Sequence, residues 1–290
     1  MVAVLSLAAA IGLGACAASS SDDAGDWDDV VVVGESDLVP LIVSSELVAG
    51  RPDRFLFSLL DGDKNVIAAP DLPVRVEFFD LDGSRTDPAY SEDARFLWAI
   101  PDERGLYSAT ADFGRAGPWG AKVIAGTGSD AKTAQLRFDV RADSSAVAAG
   151  EPAPRTPTKT AADVGGDLSK ITTDKNPDPS LYETSIPDAL DAGEPFVVAF
   201  ATPKFCTSAT CGPTLETLKE VKDENSGVSF IHVEVFENLD SPQPTRVAAV
   251  DDWGLPTEPW VYVVDANGIV TARFEGALTA KELQAAINAA

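Results

Sequence analysis

The order of apolar patterns over residues 185–290 restricts the topology of this chain more than any other feature. Ser185 to Gly193 reads as a short helix with a serine cap and a terminal glycine. Phe196-Val-Val-Ala-Phe-Ala holds no polar residue and reads as a buried, parallel-type strand. A helix is expected from about Pro213, with Leu215, Leu218 and Val221 facing inward. Proline suits the first helical position, because its missing N–H would have no partner there. Val228 to Phe236 is the next expected strand, and Thr245 to Trp253 the next helix. Trp260-Val-Tyr-Val-Val-Asp, the turn Ala266-Asn267-Gly268 and Ile269 to Phe274 read as a hairpin. Thr279 and Glu282 have the spacing of a capping box that opens the last helix. The order βαβ, helix, hairpin, helix leaves few topologies.

Residues 38–141 carry a different period. Arg54 to Leu60, Leu72 to Phe79 and Gln135 to Val140 alternate or nearly so. The turn signals Asp61-Gly62-Asp63, Asp82-Gly83-Ser84 and Gly126-Thr-Gly128 separate them. About seven strands over this length predict an immunoglobulin-like β-sandwich. Asp61-x-Asp63-x-Asn65 mimics the start of a calcium loop, but Val66 and Leu72 stand where that loop needs Gly and a bidentate Glu. A solvated turn is expected there, and Trp98 and Trp119 are expected in the core. Residues 142–165 lose every apolar period and hold Pro152, Pro154 and Pro157, so they are expected to be a proline-rich linker. The expected fold class is therefore multidomain: an all-β sandwich over 38–141, a linker, and an α/β domain over 166–290.

Composition removes several functions. Lys and Arg number 22 against 46 Asp and Glu, a net charge of -24, which argues against nucleic-acid binding. One His, one Met at position 1 and three Cys exclude a zinc site with several His ligands and a His/Met-ligated haem. Any Ser-His-Asp hydrolase would have to use His232. Met1 to Ala15 is uncharged and apolar or small, too short to span a bilayer comfortably, and reads as the core of a secretory signal. It ends Leu13-Gly14-Ala15-Cys16, which resembles a bacterial lipobox. That resemblance implies that residues 1–16 form a lipoprotein signal cut before Cys16, a lipid on Cys16, and a lipoprotein of the bacterial cell envelope on the extracytoplasmic side. Residues 17–37, with Asp22, Asp23, Asp26, Asp28 and Asp29, are expected to be an acidic tether.

Cys206 and Cys211 lie between the strand ending near Ala201 and the following helix. A thiol ahead of a helix N-terminus meets the positive end of the macrodipole, which favours the thiolate, the nucleophile of disulfide exchange. As a static staple, so short a loop contributes only ~2 kcal/mol by chain entropy.

This constellation resembles the thioredoxin fold. Phe196 to Ala201 is similar to its central strand, with the cysteine loop and helix directly after it. Pro259 opens a strand that leads to Asp265-Ala-Asn-Gly268, as the family's cis-proline does. The Pro259-to-Gly268 spacing is similar to that of membrane-anchored, extracytoplasmic thioredoxin-like proteins. The resemblance implies a reversible Cys206–Cys211 disulfide, exchange with protein thiols or disulfides of the cell envelope, a cis Pro259 facing the cysteines, and no cofactor or metal. The sequence departs from the pattern at two points. The motif is C-x4-C, and Cys211-Gly-Pro-Thr214 matches Cys-Gly-Pro-Cys with the second Cys lost. Two registers are therefore open: Cys206 attacks and Cys211 resolves, or the reverse. Ala199 occupies the place of the family's buried Asp, and Glu258 is the nearest acid for proton transfer. Two other readings stand beside this one. The first is a redox-inert envelope interaction module whose sandwich binds a protein partner. The second is a Cu(I) chaperone using both thiolates, although Leu255 to Pro259 lacks the His of that family.

Overall fold

The computed structural model describes Trp27, Val31–Val33 and residues 37–290. The structure is mostly β, with one large sheet, a smaller mixed sheet and several helices. The large sheet contains β1 (Val31–Val33), β2 (Val39–Ile42), β3 (Pro52–Leu60), β4 (Val74–Asp80), β5 (Tyr90–Ile100), β6 (Arg104–Asp112), β7 (Gly117–Ala125) and β8 (Lys132–Val140). They run antiparallel in the order β1-β8-β7-β4-β5-β6-β3-β2. The long β5 pairs with β4 through Tyr90 to Ala94 and with β6 through Arg95 to Ile100. Phe55 of β3 lies 5.2 Å from Phe78 of β4 and 5.4 Å from Phe138 of β8, strands far from it in the sheet order. The sheet therefore folds over at β5 into two layers. Alternation explains the core between them: Phe55, Phe57 and Leu59 point inward from one face of β3. Leu56, on the other face, is also buried, against Leu97, Leu106 and Ala277. That second burial is why β3 reads as nearly continuous apolar sequence.

The second half holds α1 (Ile186–Ala192), β9 (Phe196–Ala201), α2 (Cys211–Asp223), β10 (Ser229–Glu234), β11 (Phe236–Glu237), β12 (Thr245–Arg246), α3 (Ala248–Asp252), β13 (Trp260–Val264), β14 (Val270–Glu275) and α4 (Ala280–Ala289). Its four-stranded sheet has the order β10-β9-β13-β14, with β9 parallel to β10 and antiparallel to β13. All of β9 is buried, because both faces are covered. Phe196, Val198 and Phe200 pack with α1, α3, Trp253 and Tyr262 on one face. Val197, Ala199 and Ala201 pack with α2, α4 and Val261 on the other. Ser185 caps α1, Gly193 ends it in the left-handed region, and Thr279 and Glu282 form the expected capping box.

Four expectations are corrected. The expected acidic tether is not solvated where it is described: Val31–Val33 pairs with β8, and Trp27 is buried with its ring 5.0 Å from Phe79. The Trp27 indole N–H donates to the Arg85 carbonyl at 3.0 Å. Gly120 admits the ring, since a Cβ there would lie 2.4 Å from it. Residues 1–26, including the expected signal and Cys16, lie outside the described residues. The proline-rich segment 142–165 is docked and not a free linker. Val147 N–H donates to Trp253 O (3.1 Å), Gly150 N–H to Val270 O (2.8 Å) and Ala153 N–H to Gly268 O (2.9 Å). Gly254, at φ +64°, lets it approach, because a Cβ there would fall 1.9 Å from Ser145 O. Backbone hydrogen bonds replace the apolar period that the sequence lacks. The expected helix over Thr245 to Trp253 starts only at Ala248, because Thr245 and Arg246 pair with Glu237 and Phe236. Trp98 is 38% exposed and not a core residue, whereas Trp119 is buried.

The two halves share an extensive polar and apolar contact. Arg54 of β3 donates to the carbonyls of Glu275 (3.2 Å) and Ala277 (2.9 Å) and lies 3.3 Å from the Glu282 carboxylate. Glu275 accepts from the Ser45 amide at 2.9 Å.

Candidate functional site

The cysteine loop leaves the C-terminal end of β9, where Phe205 N–H donates back to Thr202 O at 3.2 Å. The helix α2 begins at Cys211 itself, so Pro213 is its third residue; a first-turn N–H has no helical acceptor, and proline is tolerated there. Thr210 precedes the helix but its side chain does not cap it. The Thr210 hydroxyl instead pairs with the Ser208 hydroxyl at 2.7 Å. The Cys206 sulfur takes the capping place and accepts the Cys211 N–H at 3.4 Å. The Ser208 hydroxyl lies 3.2 Å from the same sulfur. Ala209, at φ +60°, makes the turn that brings Cys206 back over the helix start, a conformation that disfavours a residue with a Cβ.

These donors separate the two thiols. Cys206 is half-buried and Cys211 buried, and both are free thiols in this structure. The Cys211 thiol, the Ser208 hydroxyl and the Cys211 and Thr210 amides draw Cys206 down to about 5, overcoming its partial burial. Cys211 moves the opposite way. Its hydrogen bond to Cys206, its burial, the Cys206 charge and Glu258 push it far above the ordinary thiol range, against a hydrogen bond from the Thr202 amide. The two thiols thus move apart, the half-buried Cys206 towards the thiolate and the buried Cys211 towards the thiol.

Glu258 sits beside this pair: burial and the Cys206 charge push its carboxyl up. The Glu258–Pro259 peptide bond is cis. Trp260 pairs with Phe200, so Pro259 stands one step further along, opposite Ala201, at the strand end that feeds the loop. The structure thus brings Cys206, Cys211, Glu258 and Pro259 to one end of the central strands. Ala199 is buried within β9.

His232 is not part of this site. It is buried on β10, where Nε2 donates to Ala201 O at 3.0 Å and Nδ1 lies 2.7 Å from the Tyr182 hydroxyl. A carbonyl only accepts, so the Nε2 tautomer follows, with the tyrosine donating to Nδ1. Burial lowers its pKa and keeps it neutral. Among the described residues, no group of three or more His, Cys, Asp or Glu side chains is placed to hold a metal ion.

Sequence reasoning missed Ser208, Thr210, Trp98 and Arg104. The hydroxyl-rich run Thr207-Ser-Ala-Thr210 between two cysteines is a legible signal for sulfur-directed donors. Arg104 is not legible: its guanidinium donates to Ser208 O at 2.9 Å from a strand 104 positions away.

The sequence matches no family model and no curated protein. Among solved structures, it is similar to a thiol:disulfide interchange protein of the thioredoxin family from Chlorobium tepidum TLS. That match has 17% identity and a TM-score of 0.33, covering 50% of this chain and 99% of that one. It is also similar to the Lin-41 filamin domain, at 14% identity and a TM-score of 0.23, covering 38% and 98%. A third match is the PmoD soluble domain from Methylocystis sp. ATCC 49242 (Rockwell), at 18% identity and a TM-score of 0.23, covering 39% and 97%.

Proposed function

We propose that this chain is a thiol–disulfide oxidoreductase with a thioredoxin-like C-terminal domain and an immunoglobulin-like N-terminal sandwich. The observation that carries the reading is the placement of two adjacent sulfurs: half-buried Cys206, which accepts the Cys211 amide and faces the Ser208 hydroxyl, and buried Cys211 behind it. The Cys206 thiolate attacks one sulfur of a substrate disulfide, and the first substrate sulfur leaves as thiolate and takes a proton. The mixed disulfide removes the charge from Cys206, so the Cys211 thiol becomes easier to deprotonate. Glu258 accepts that proton, and the Cys211 thiolate attacks the Cys206 sulfur. The second substrate sulfur leaves and takes the proton back from Glu258; the substrate has gained two electrons, and the two cysteines have lost them in forming the Cys206–Cys211 disulfide. Run backwards, the same steps oxidise a dithiol. Of the two registers, the half-buried position of Cys206 and the donors at its sulfur support Cys206 as nucleophile. A redox titration of the pair tests the reading: one reversible two-electron transition is expected, and failure of the pair to oxidise in the folded protein would remove it.

Cys16 is proposed as a lipidated residue that holds the protein at the extracytoplasmic face of a bacterial membrane, where protein thiols and disulfides are the partners. The Leu13-Gly14-Ala15-Cys16 run after an apolar stretch supports this. Each buried CH₂ of a lipid chain contributes ~0.8 kcal/mol of anchoring. Cys16→Ser is expected to move the protein from the membrane fraction to the soluble fraction. Retention at the wild-type level contradicts a lipid anchor.

A further inference from the structure

A cleft of about 1570 Å³ opens beside the cysteine loop. Small-molecule pockets span roughly 300–1,000 Å³, so this volume suits a length of polymer better than a small disulfide. Both halves of the chain build it. Trp98 and Pro101, from the β5–β6 hairpin, line one side; Pro203, Pro213 and Leu278 line the other. Pro203 and Lys204 precede Cys206, and Gly212 and Pro213 follow Cys211, so the cleft reaches both ends of the cysteine loop.

Trp98 is the exception among the tryptophans. It is 38% exposed, whereas Trp27, Trp119, Trp253 and Trp260 are buried. Phe96 braces its ring edge-on at 4.9 Å. The hairpin is also tied to the reactive loop, because Arg104 at its far side holds Ser208 O and Ser208 contacts the Cys206 sulfur. An exposed, braced indole on the wall of a cleft is a platform for an apolar side chain.

The other wall is acidic. Five carboxylates and three lysines line the cleft. Lys219 is taken up by Asp174 and Glu216, each at 2.7 Å. Lys204 keeps its charge, donating to Leu239 O and lying over Phe205, and Lys175 is exposed on the same lining, while Asp223 pairs with Lys222, so the lining carries an excess of two carboxylates. Glu220 and Asp240 are exposed on the lining. The chain as a whole carries -24, which steers cations towards it.

We propose that this cleft binds an extended basic segment of the substrate protein. An apolar side chain of that segment rests on Trp98, its Lys or Arg side chains face Glu220 and Asp240, and its disulfide is presented to Cys206. This assignment of substrate class rests on the reading of the cysteine pair as an exchange centre.

The test separates binding from chemistry by using the full chain with Cys206→Ser and Cys211→Ser, which cannot exchange. Fluorescence anisotropy reads two labelled peptides, Lys-Leu-Lys-Ala-Lys-Leu-Lys and its counterpart with Glu in place of Lys. The basic peptide is expected to bind, more weakly as salt rises, and the acidic one to bind far more weakly. Trp98→Ala is expected to weaken the basic peptide roughly tenfold. Glu220→Lys with Asp240→Lys is expected to remove the preference. All three positions are exposed, and circular dichroism confirms that the variants are folded. Equal affinity for both peptides, or a preference untouched by these substitutions, overturns the cleft assignment. Absence of disulfide exchange in the wild-type chain, with peptide binding intact, instead overturns the chemistry.

Discussion

Replacing Cys206 by serine is expected to lower the rate of disulfide exchange by about a thousandfold or more, because the group that carries the first attack is gone. Cys211 cannot take over. It is buried, and with the other sulfur gone burial and the nearby Glu258 still push its thiol up. Cys211→Ser is expected to behave differently. Cys206 still has the Ser208 hydroxyl and the Cys211-position amide aimed at its sulfur, so it attacks a substrate disulfide and then stops. A mixed disulfide should accumulate, visible by intact mass spectrometry and released by dithiothreitol. The reverse pattern, with the trapped adduct formed by Cys206→Ser through Cys211, would exchange the roles assigned to the two sulfurs.

Arg273→Met is expected to lower stability by about 3–5 kcal/mol, a large share of the ~5–15 kcal/mol of an ordinary protein. The Arg273 side chain is 6% exposed and lies 3.2 Å from the Glu46 carboxylate and 2.5 Å from that of Asp53. It also donates to Ser144 Oγ at 2.7 Å and to Ala146 O at 3.2 Å, with its guanidinium 5.5 Å from the Trp260 ring centre. These partners come from the N-terminal sheet region, the docked proline-rich segment and β13, so one cation joins three parts of the chain. Glu46 keeps its charge against burial because Ser144, Ser145 and Arg273 all face it. Methionine fills similar space but leaves two carboxylates without their central partner. Adding Glu46→Gln and Asp53→Asn should recover part of the loss by removing the stranded charge. Denaturant midpoints with an unchanged slope measure both steps. A loss under about 1 kcal/mol would mean that this junction contributes little beyond a surface ion pair.

The central architecture is legible in the sequence because β9 and β3 carry unbroken or nearly unbroken apolar runs, and a run of that length must be covered. The cysteine pair is legible for the same reason: its loop falls where a buried strand meets a helix. The register of attack is not legible. The different surroundings of the two sulfurs depend on the left-handed turn at Ala209, which brings the Cys206 sulfur back to the Cys211 amide. Trp98 is misread because aromatic residues in alternating strands are usually core; only the fold of the hairpin against the second half exposes it. Residues 142–165 read as free chain because they are held by backbone hydrogen bonds and by small side chains such as Ser144, Ala146 and Ala153, which make no apolar period. Trp27 is hidden among aspartates, and its pocket is made by the absence of a side chain at Gly120.

The most direct test of the account is the redox titration of the Cys206–Cys211 pair repeated across pH, read by differential alkylation and mass spectrometry. Reduction of a disulfide takes up two electrons and as many protons as the dithiol holds. With Cys206 ionised above a pKa of about 5 and Cys211 still protonated, one proton accompanies two electrons. The midpoint potential should then fall by about 30 mV per pH unit from pH 5 upward, and by about 59 mV per unit below it. Both cysteines should become protected together at every pH. A slope of about 59 mV per unit through neutral pH, or a pair that remains alkylatable at all potentials, contradicts a stabilised Cys206 thiolate working with Cys211 as a reversible disulfide.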